Sequence, residues 1–122
     1  MENKKTLTAA DLEQFIGSEH YYKHWTNIIQ YTDGVAYMAK AGGAYWLIDA
    51  IASYQGEKHF ELDELQLWEL VKSDDGDSAV LTARRDTGLP PVIKQEIEYT
   101  DFPLQEIKLY VKNGILFLPS EY

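Results

Sequence analysis

The spacing of hydrophobic residues changes near the middle of the chain. Up to about residue 55 the spacing is helical, and start and stop signals predict three short helices at about residues 9–16, 34–41 and 44–55. Thr8 and Asp11 form a variant of the capping box at the first helix. A short strand is expected at residues 27–31, between the first two helices. Gly42-Gly43 separates the second helix from the third.

After about residue 64, hydrophobic and polar residues alternate, as is typical of half-buried strands. Five strands are predicted, at residues 65–72, 78–85, 92–99, 106–112 and 115–118. Asn113-Gly114 is the strongest hairpin signal, because both residues tolerate the positive φ of a type I′ turn. Connections as short as these do not allow parallel crossovers, so the pattern predicts an antiparallel meander of roughly five strands.

One face of this predicted sheet is apolar. In the fourth predicted strand, Ile107, Leu109 and Val111 alternate with charged or polar neighbours. An apolar sheet face must be covered, and the N-terminal short helices are the available cover. We therefore predict an α+β fold in which those helices pack on one face of the sheet, with residues 1–122 forming a single domain.

Charge and composition narrow the classes of function. The chain has twenty acidic and eleven basic residues, a formal net charge of −9, and no cysteine. Such a surface repels phosphate backbones and anionic lipids, so binding to nucleic acid or membrane is not expected. A basic protein partner fits this charge, and so does simple solubility. The lack of cysteine and of an apolar run of roughly 18 residues predicts a cytoplasmic protein, and no sequence signature predicts a cofactor.

A group of carboxylates after residue 60 forms the first candidate binding surface. Its members are Glu61, Asp63, Glu64, Asp74, Asp75 and Asp77. A string of carboxylates can imitate the phosphate spacing of DNA, as inhibitors of nucleic-acid-binding proteins do. The alternative interpretation is a solvated loop, with the aspartates serving hairpin turn chemistry.

Asp49 is the candidate for acid–base chemistry, because it is the only charged residue between residues 41 and 56. A carboxylate among aromatic residues has a raised pKa unless a cation or hydrogen-bond donors stabilise it. Its candidate partners are Tyr45, Trp46 and either His24 or His59. The alternative is a structural aspartate that is hydrogen-bonded, paired with an arginine or turned towards water.

The segment between the first two predicted helices carries two further candidates. His20 and His24 are four residues apart, a spacing that converges on one face of a helix and could hold a metal ion. The segment lacks the glutamate of a zinc-protease motif, so no metal site is predicted. Tyr21, Tyr22 and Trp25 form a candidate aromatic docking patch, because Tyr and Trp are enriched in interface hot spots.

Several stretches together carry a resemblance to a known family. They are residues 31–35, 43–53, 67–70, 95–104 and 118–122, with the sequences YTDGV, GAYWLIDAIAS, LWEL, QEIEYTDFPL and LPSEY. These stretches resemble a family of small uncharacterised bacterial and phage proteins, a domain of unknown function, over nearly the whole chain. The resemblance implies a stand-alone accessory domain tied to mobile elements, and it assigns no catalytic residue, cofactor or partner.

Two classes of function follow from the sequence. The first is a non-enzymatic acidic module that binds another protein, with a nucleic-acid-mimicking antagonist as its concrete form. The second is a small-molecule-binding protein or enzyme with an acid–base site around Asp49, which a closed pocket containing Asp49 would favour. A homodimer joined through sheet edges or aromatic faces is a third, purely structural hypothesis.

Overall fold

The structure is a computed structural model, and it describes residues 7–16, 20–55 and 64–121. Within these residues the chain forms three short helices: α1 (Ala9–Glu13), α2 (Asp33–Gly42) and α3 (Tyr45–Ser53). It also forms seven strands: β1 (Tyr21–Lys23), β2 (Gln30–Thr32), β3 (Gln66–Lys72), β4 (Ala79–Arg84), β5 (Ile93–Ile97), β6 (Glu106–Lys112) and β7 (Ile115–Phe117). A 3-10 turn, Pro119–Glu121, ends the described chain. The fold is α+β, as predicted.

The number of strands corrects the sequence-based prediction. The five strands predicted from alternation are present as β3 to β7, but the described sheet has seven strands rather than five. The additional hairpin is β1–β2. All three residues of β1 are exposed, so no alternation of apolar and polar residues marks this strand. β2 lies at Gln30–Thr32, slightly later than the strand expected at residues 27–31.

The strand order also corrects the prediction of an antiparallel meander. The order is β1-β2-β7-β6-β3-β4-β5, and β2 runs parallel to β7. β6 returns to pair with β3 instead of β5, which makes β3 to β6 a Greek key. The connection at residues 98–105 has to cross three strand spacings, about 14 Å. Its eight residues can span about 26 Å when extended, so a short connection is sufficient.

Phe102 anchors this connection in the core. Its side chain is fully buried, and its carbonyl accepts a hydrogen bond of 2.8 Å from the Lys72 ammonium. The backbone N–H of Thr100 donates to the carbonyl of Asp77 at 2.7 Å, which ties the connection to the β3–β4 turn. A Cβ added at Gly42 would lie 2.8 Å from the Phe102 ring, so the end of α2 needs a glycine.

The core lies between the helices and one face of the sheet. Its largest members include Leu47, Ile48, Ile51, Trp68, Leu70, Leu81 and Leu109. The indole N–H of Trp68 donates to Gln66, whose amide exchanges two hydrogen bonds with Gln55 after α3. The polar atoms beside the core tryptophan are therefore paired, and they join the end of α3 to β3.

Local signals at the helix ends and hairpins agree with the sequence. Thr8 and Asp11 form both hydrogen bonds of the capping box, although α1 ends at Glu13 rather than near residue 16. Gly43 ends α2 in the left-handed conformation, with φ of 63°. Asn113 and Gly114 have φ of 54° and 77°, as the predicted type I′ turn between β6 and β7 requires. α3 ends at Ser53 and is also shorter than expected.

The last described residues hold the start of α2. The carboxylate of Glu121 accepts hydrogen bonds from the Thr32 hydroxyl at 2.6 Å, the Leu118 N–H at 2.9 Å and the Gly34 N–H at 3.2 Å. Thr32 is itself the N-cap residue of α2. A negative charge at this helix end is favourable, because the unpaired N–H groups there carry a partial positive charge.

No helix in the described part of the chain is long and apolar enough to cross a membrane. The longest of them, α2, has ten residues.

Candidate functional site

Asp49 meets two side chains from the β1–β2 loop. Its Oδ1 atom lies 2.7 Å from Nε2 of His24 and accepts a hydrogen bond of 3.0 Å from the Trp25 indole N–H. Asp49 lies on the outer side of α3, one turn after Tyr45. The contact therefore joins the β1–β2 loop, which precedes α2, to α3, which follows it.

The loop that presents His24 and Trp25 is closed by its own backbone. The N–H of His24 donates to the carbonyl of Ile29 at 3.0 Å, and the N–H of Asn27 donates to the carbonyl of His24 at 2.8 Å. Asn27 takes a positive φ of 65°, which asparagine tolerates better than most residues. Ile29 is buried in the core and fixes the far end of the loop.

His24 is a buried residue with both ring nitrogens in use. Its exposed fraction is 4%. Nδ1 accepts a hydrogen bond from the Thr26 N–H at 3.2 Å and lies 2.7 Å from the Thr26 hydroxyl. Because Nδ1 acts as an acceptor, the proton of the neutral ring belongs on Nε2, which then donates to Asp49. His24 thus holds Asp49 in place and has no nitrogen left for a substrate.

The carboxyl of Asp49 is kept ionised. The hydrogen bond from His24 is the main cause that lowers the pKa of Asp49 below its ordinary value. Burial opposes it with the second-largest effect, and the hydrogen bond from the Trp25 indole lowers the pKa by a smaller amount. These are the stabilising donors that the sequence argument named as the exception to a raised pKa. The side chain is 51% exposed, and no described residue donates to its second oxygen, Oδ2.

Several aromatic residues lie near this carboxylate. Trp25 is 77% exposed and Tyr45 is 51% exposed. Burial, followed by the charges of Tyr45 and Asp49, raises the pKa of Tyr31, so these groups lie close together. Tyr22 stacks on Tyr31 with ring centroids 5.7 Å apart. We call Tyr22, Trp25, Tyr31, Tyr45 and Asp49 the aromatic–carboxylate surface.

The predicted aromatic patch is divided between two faces of the sheet. Tyr22 pairs with Tyr31 in the β1–β2 register, and both belong to the aromatic–carboxylate surface. Tyr21 is the adjacent strand residue and points to the opposite face, where it lines a groove with Ile115 and Phe117. The structure therefore places Tyr21 and Tyr22 on opposite faces, because side chains alternate along strand β1.

The side chains of His20 and His24 do not come together, because the residues between them form a strand rather than a helix. His20 and His24 flank strand β1, where four residues span about 13 Å. His20 lies 3.6 Å from Asp33, whereas His24 contacts Asp49. Among the described residues no group of three or more metal-ligating side chains occurs. His59 lies outside the described residues.

The described residues of the predicted acidic surface differ in their contacts. Glu61 and Asp63 lie outside the described residues, and Glu64 lies 3.6 Å from Arg85. Asp75 accepts hydrogen bonds from the backbone of Ser78 and Asp77, which lower its pKa in that order. Asp75 thus serves the β3–β4 turn, as the alternative interpretation expected, while Asp74 and Asp77 are exposed.

Sequence reasoning named Asp49, Tyr45 and His24 together, and it named Tyr22 and Trp25 in a separate patch. It missed Tyr31 and the contact between Trp25 and Asp49. Tyr31 carried no signal, because one tyrosine in a short strand resembles any other. The bond between Trp25 and Asp49 joins residues 24 positions apart, and no local pattern indicates such a pair. Trp46, a proposed partner of Asp49, packs against the core instead.

The fold and this site define a small α+β domain with a seven-stranded mixed sheet in its described part and an exposed aromatic–carboxylate surface. Residues 6–122 match the family of unknown function DUF6876, and the chain belongs to this family. No curated protein and no solved structure matches the chain.

Proposed function

We propose that this protein is a non-enzymatic module that binds a basic protein, and that the aromatic–carboxylate surface takes up an arginine or lysine side chain of that partner. The observation that carries this proposal is the state of Asp49. Its carboxyl is ionised and half exposed, Oδ1 accepts hydrogen bonds from His24 and Trp25, and no described residue donates to Oδ2.

A cation is the ligand that this chemistry favours. The faces of indole and phenol rings attract a guanidinium or ammonium group, and most strongly that of Trp25. A carboxylate oxygen adds a charge-assisted hydrogen bond to the same cation. The net charge of −9 attracts a basic partner over longer distances. Arginine suits the surface better than lysine, because its planar group can stack on a ring and donate to a carboxylate together.

The surface is organised before any partner arrives. The Trp25 indole is fixed by its hydrogen bond to Asp49, and the ring of His24 lies beside it with centroids 5.4 Å apart. An exposed aromatic side chain that is already held in one position loses little conformational entropy on binding. This supports a binding role for Trp25, which is exposed and already held in position.

The same geometry gives less support to an acid–base site around Asp49. A carboxyl with a lowered pKa is a weak base near neutral pH and holds no proton to donate there. His24 has no free nitrogen to relay a proton. Asp49 is also half exposed rather than enclosed in a cavity.

Four narrower hypotheses extend this proposal. A nucleic-acid-mimicking antagonist would be one kind of module with a basic partner, and exposed Asp74 and Asp77 are its described candidates. A bacterial or phage origin and a link to mobile elements rest on the sequence resemblance. A cytoplasmic location rests on the absence of cysteine. A homodimer would use the edge strands of the described sheet, β1 and β5.

A fluorescence-anisotropy titration with a short labelled peptide that contains arginine tests the proposal. Its matched ligand is the same peptide with citrulline, which keeps the shape and removes the charge. Asp49→Asn should weaken arginine-peptide binding about tenfold, because a charge-assisted contact contributes about 1–2 kcal/mol. Asp74→Asn removes the same charge at an exposed turn and should leave binding within about twofold.

Three outcomes would contradict this proposal. Equal affinity for the arginine and citrulline peptides would show that no cation is recognised. An Asp49→Asn variant that binds like the parent protein would remove Asp49 from the contact. A larger loss from Asp74→Asn than from Asp49→Asn would move the binding surface to the acidic turn and favour the mimicry hypothesis.

A further inference from the structure

A second feature lies on the outer face of the sheet, away from the helices. A depression of about 170 Å³ there is lined by residues that include Leu67, Glu69, Arg84, Thr87, Lys108 and Tyr110. The strand register explains this grouping. Leu67 pairs with Arg84 on one side and with Tyr110 on the other, while Glu69 faces Lys108 in the next row.

The guanidinium group of Arg84 includes a buried nitrogen atom. Its Nη1 atom is buried and has no hydrogen-bond partner in the described part of the protein. The adjacent Arg85 lies 3.6 Å from Glu64. Glu69 lines the same depression, but no ion pair joins it to Arg84 or Lys108 among residues 7–16, 20–55 and 64–121. A buried cationic donor without an acceptor is unfavourable, and its presence in a chain rich in acids calls for an external acceptor.

We propose that this depression binds the carboxylate group of a small ligand, with Arg84 as its main donor. The two parallel N–H groups of the guanidinium match the two oxygens of a carboxylate. Nη1 is buried, so binding a ligand there requires no further loss of water from this atom. Lys108 supplies a second positive charge, whereas Glu69 supplies a negative one. Arg84, Lys108 and Glu69 together therefore carry a net charge of +1, which a ligand with one negative charge would neutralise. That balance favours a singly charged carboxylate over a phosphate dianion. The volume fits a molecule about the size of an amino acid rather than a larger cofactor.

This site is independent of the aromatic–carboxylate surface. Arg84 faces away from the helices, whereas Asp49 lies on α3. Cation binding at the aromatic–carboxylate surface and carboxylate binding at Arg84 can therefore be tested separately, because a negative result for one does not affect the other.

The test is an NMR titration of the ¹⁵N-labelled protein with sodium acetate, with sodium phosphate and sodium chloride at the same ionic strength. Acetate should shift the amide signals of residues 67–69, 84–88 and 108–110 in a saturable way. Arg84→Met should abolish this shift, and Arg84→Lys should weaken it by keeping the charge without the two parallel N–H groups. Arg85→Met is the matched control and should respond like the parent protein.

Without acetate, Arg84→Met should raise the melting temperature, because it removes the buried unpaired donor.

The opposite results would overturn the proposal. A response to chloride as large as the response to acetate, or an acetate shift that survives Arg84→Met, would mean that no carboxylate site exists at Arg84. A stronger response to phosphate would refute the carboxylate assignment. A lower melting temperature for acetate-free Arg84→Met would show that the guanidinium is a stabilising structural group.

Discussion

Glu121 offers the sharpest test of how this fold is held together. Its carboxylate accepts hydrogen bonds from Thr32, Gly34 and Leu118, so it joins the end of the chain to the start of α2. Glu121→Gln keeps the size of the side chain but replaces one acceptor oxygen with a donor. That donor then faces an N–H or O–H group that has lost its acceptor.

The expected cost follows from these contacts. A half-buried hydrogen bond to a charged acceptor contributes about 1.5 kcal/mol, and the favourable charge at a helix start adds about 0.5 kcal/mol. Glu121→Gln should therefore destabilise the protein by about 2 kcal/mol. For a domain of this size, that corresponds to a melting temperature lower by about 8 °C.

Urea denaturation followed by circular dichroism measures this difference. Glu98→Gln is the matched control, because Glu98 is exposed and makes no hydrogen bond or ion pair in the described part of the chain. The control should stay within about 0.5 kcal/mol of the parent protein. If the two variants had the same urea midpoint, the turn at Pro119–Glu121 would not stabilise α2 and the reasoning would be wrong.

Two further predictions concern the core and the site. Gly42→Ala should destabilise the protein by about 1–3 kcal/mol, because its new Cβ would lie 2.8 Å from the rigid Phe102 ring; an unchanged urea midpoint would contradict this packing. The hydrogen bond from His24 lowers the pKa of Asp49 from 3.8, so its contribution to stability is present above pH 3.8 and lost as pH falls through the lowered pKa. Parent protein and Asp49→Asn should thus differ in urea midpoint at about pH 6, and this difference should shrink progressively as the pH falls below 3.8; a difference that stays constant would refute this linkage.

Local sequence signals predicted much of this fold, because their physical cause lies within a few residues. The capping box at Thr8, the left-handed Gly43 and the positive φ of Asn113-Gly114 all depend on backbone preferences of adjacent residues. The alternation in β3 to β7 results from one buried face, which the sequence shows directly. These features needed no knowledge of distant contacts.

The parts that the sequence did not predict depend on pairing between distant segments. Alternation marks a strand but not its neighbour, so the Greek key and the parallel β2–β7 pair remained hidden. Glu121 caps a helix 87 positions earlier, and His24 reaches Asp49 across 25 positions. The sequence indicated that Asp49 was unusual, but only the fold shows that donors keep its carboxyl ionised.

A cation bound at the Trp25 ring and the Asp49 carboxylate is tested most directly by the indole N–H signal of Trp25. This signal can be followed in a ¹⁵N correlation spectrum while the arginine peptide is added, with Trp25→Phe used to assign it. We predict a saturable shift of the Trp25 signal with the arginine peptide and none with the citrulline peptide, while the buried Trp68 signal stays in place. A Trp25 signal that does not move, or that moves equally with both peptides, would contradict the account.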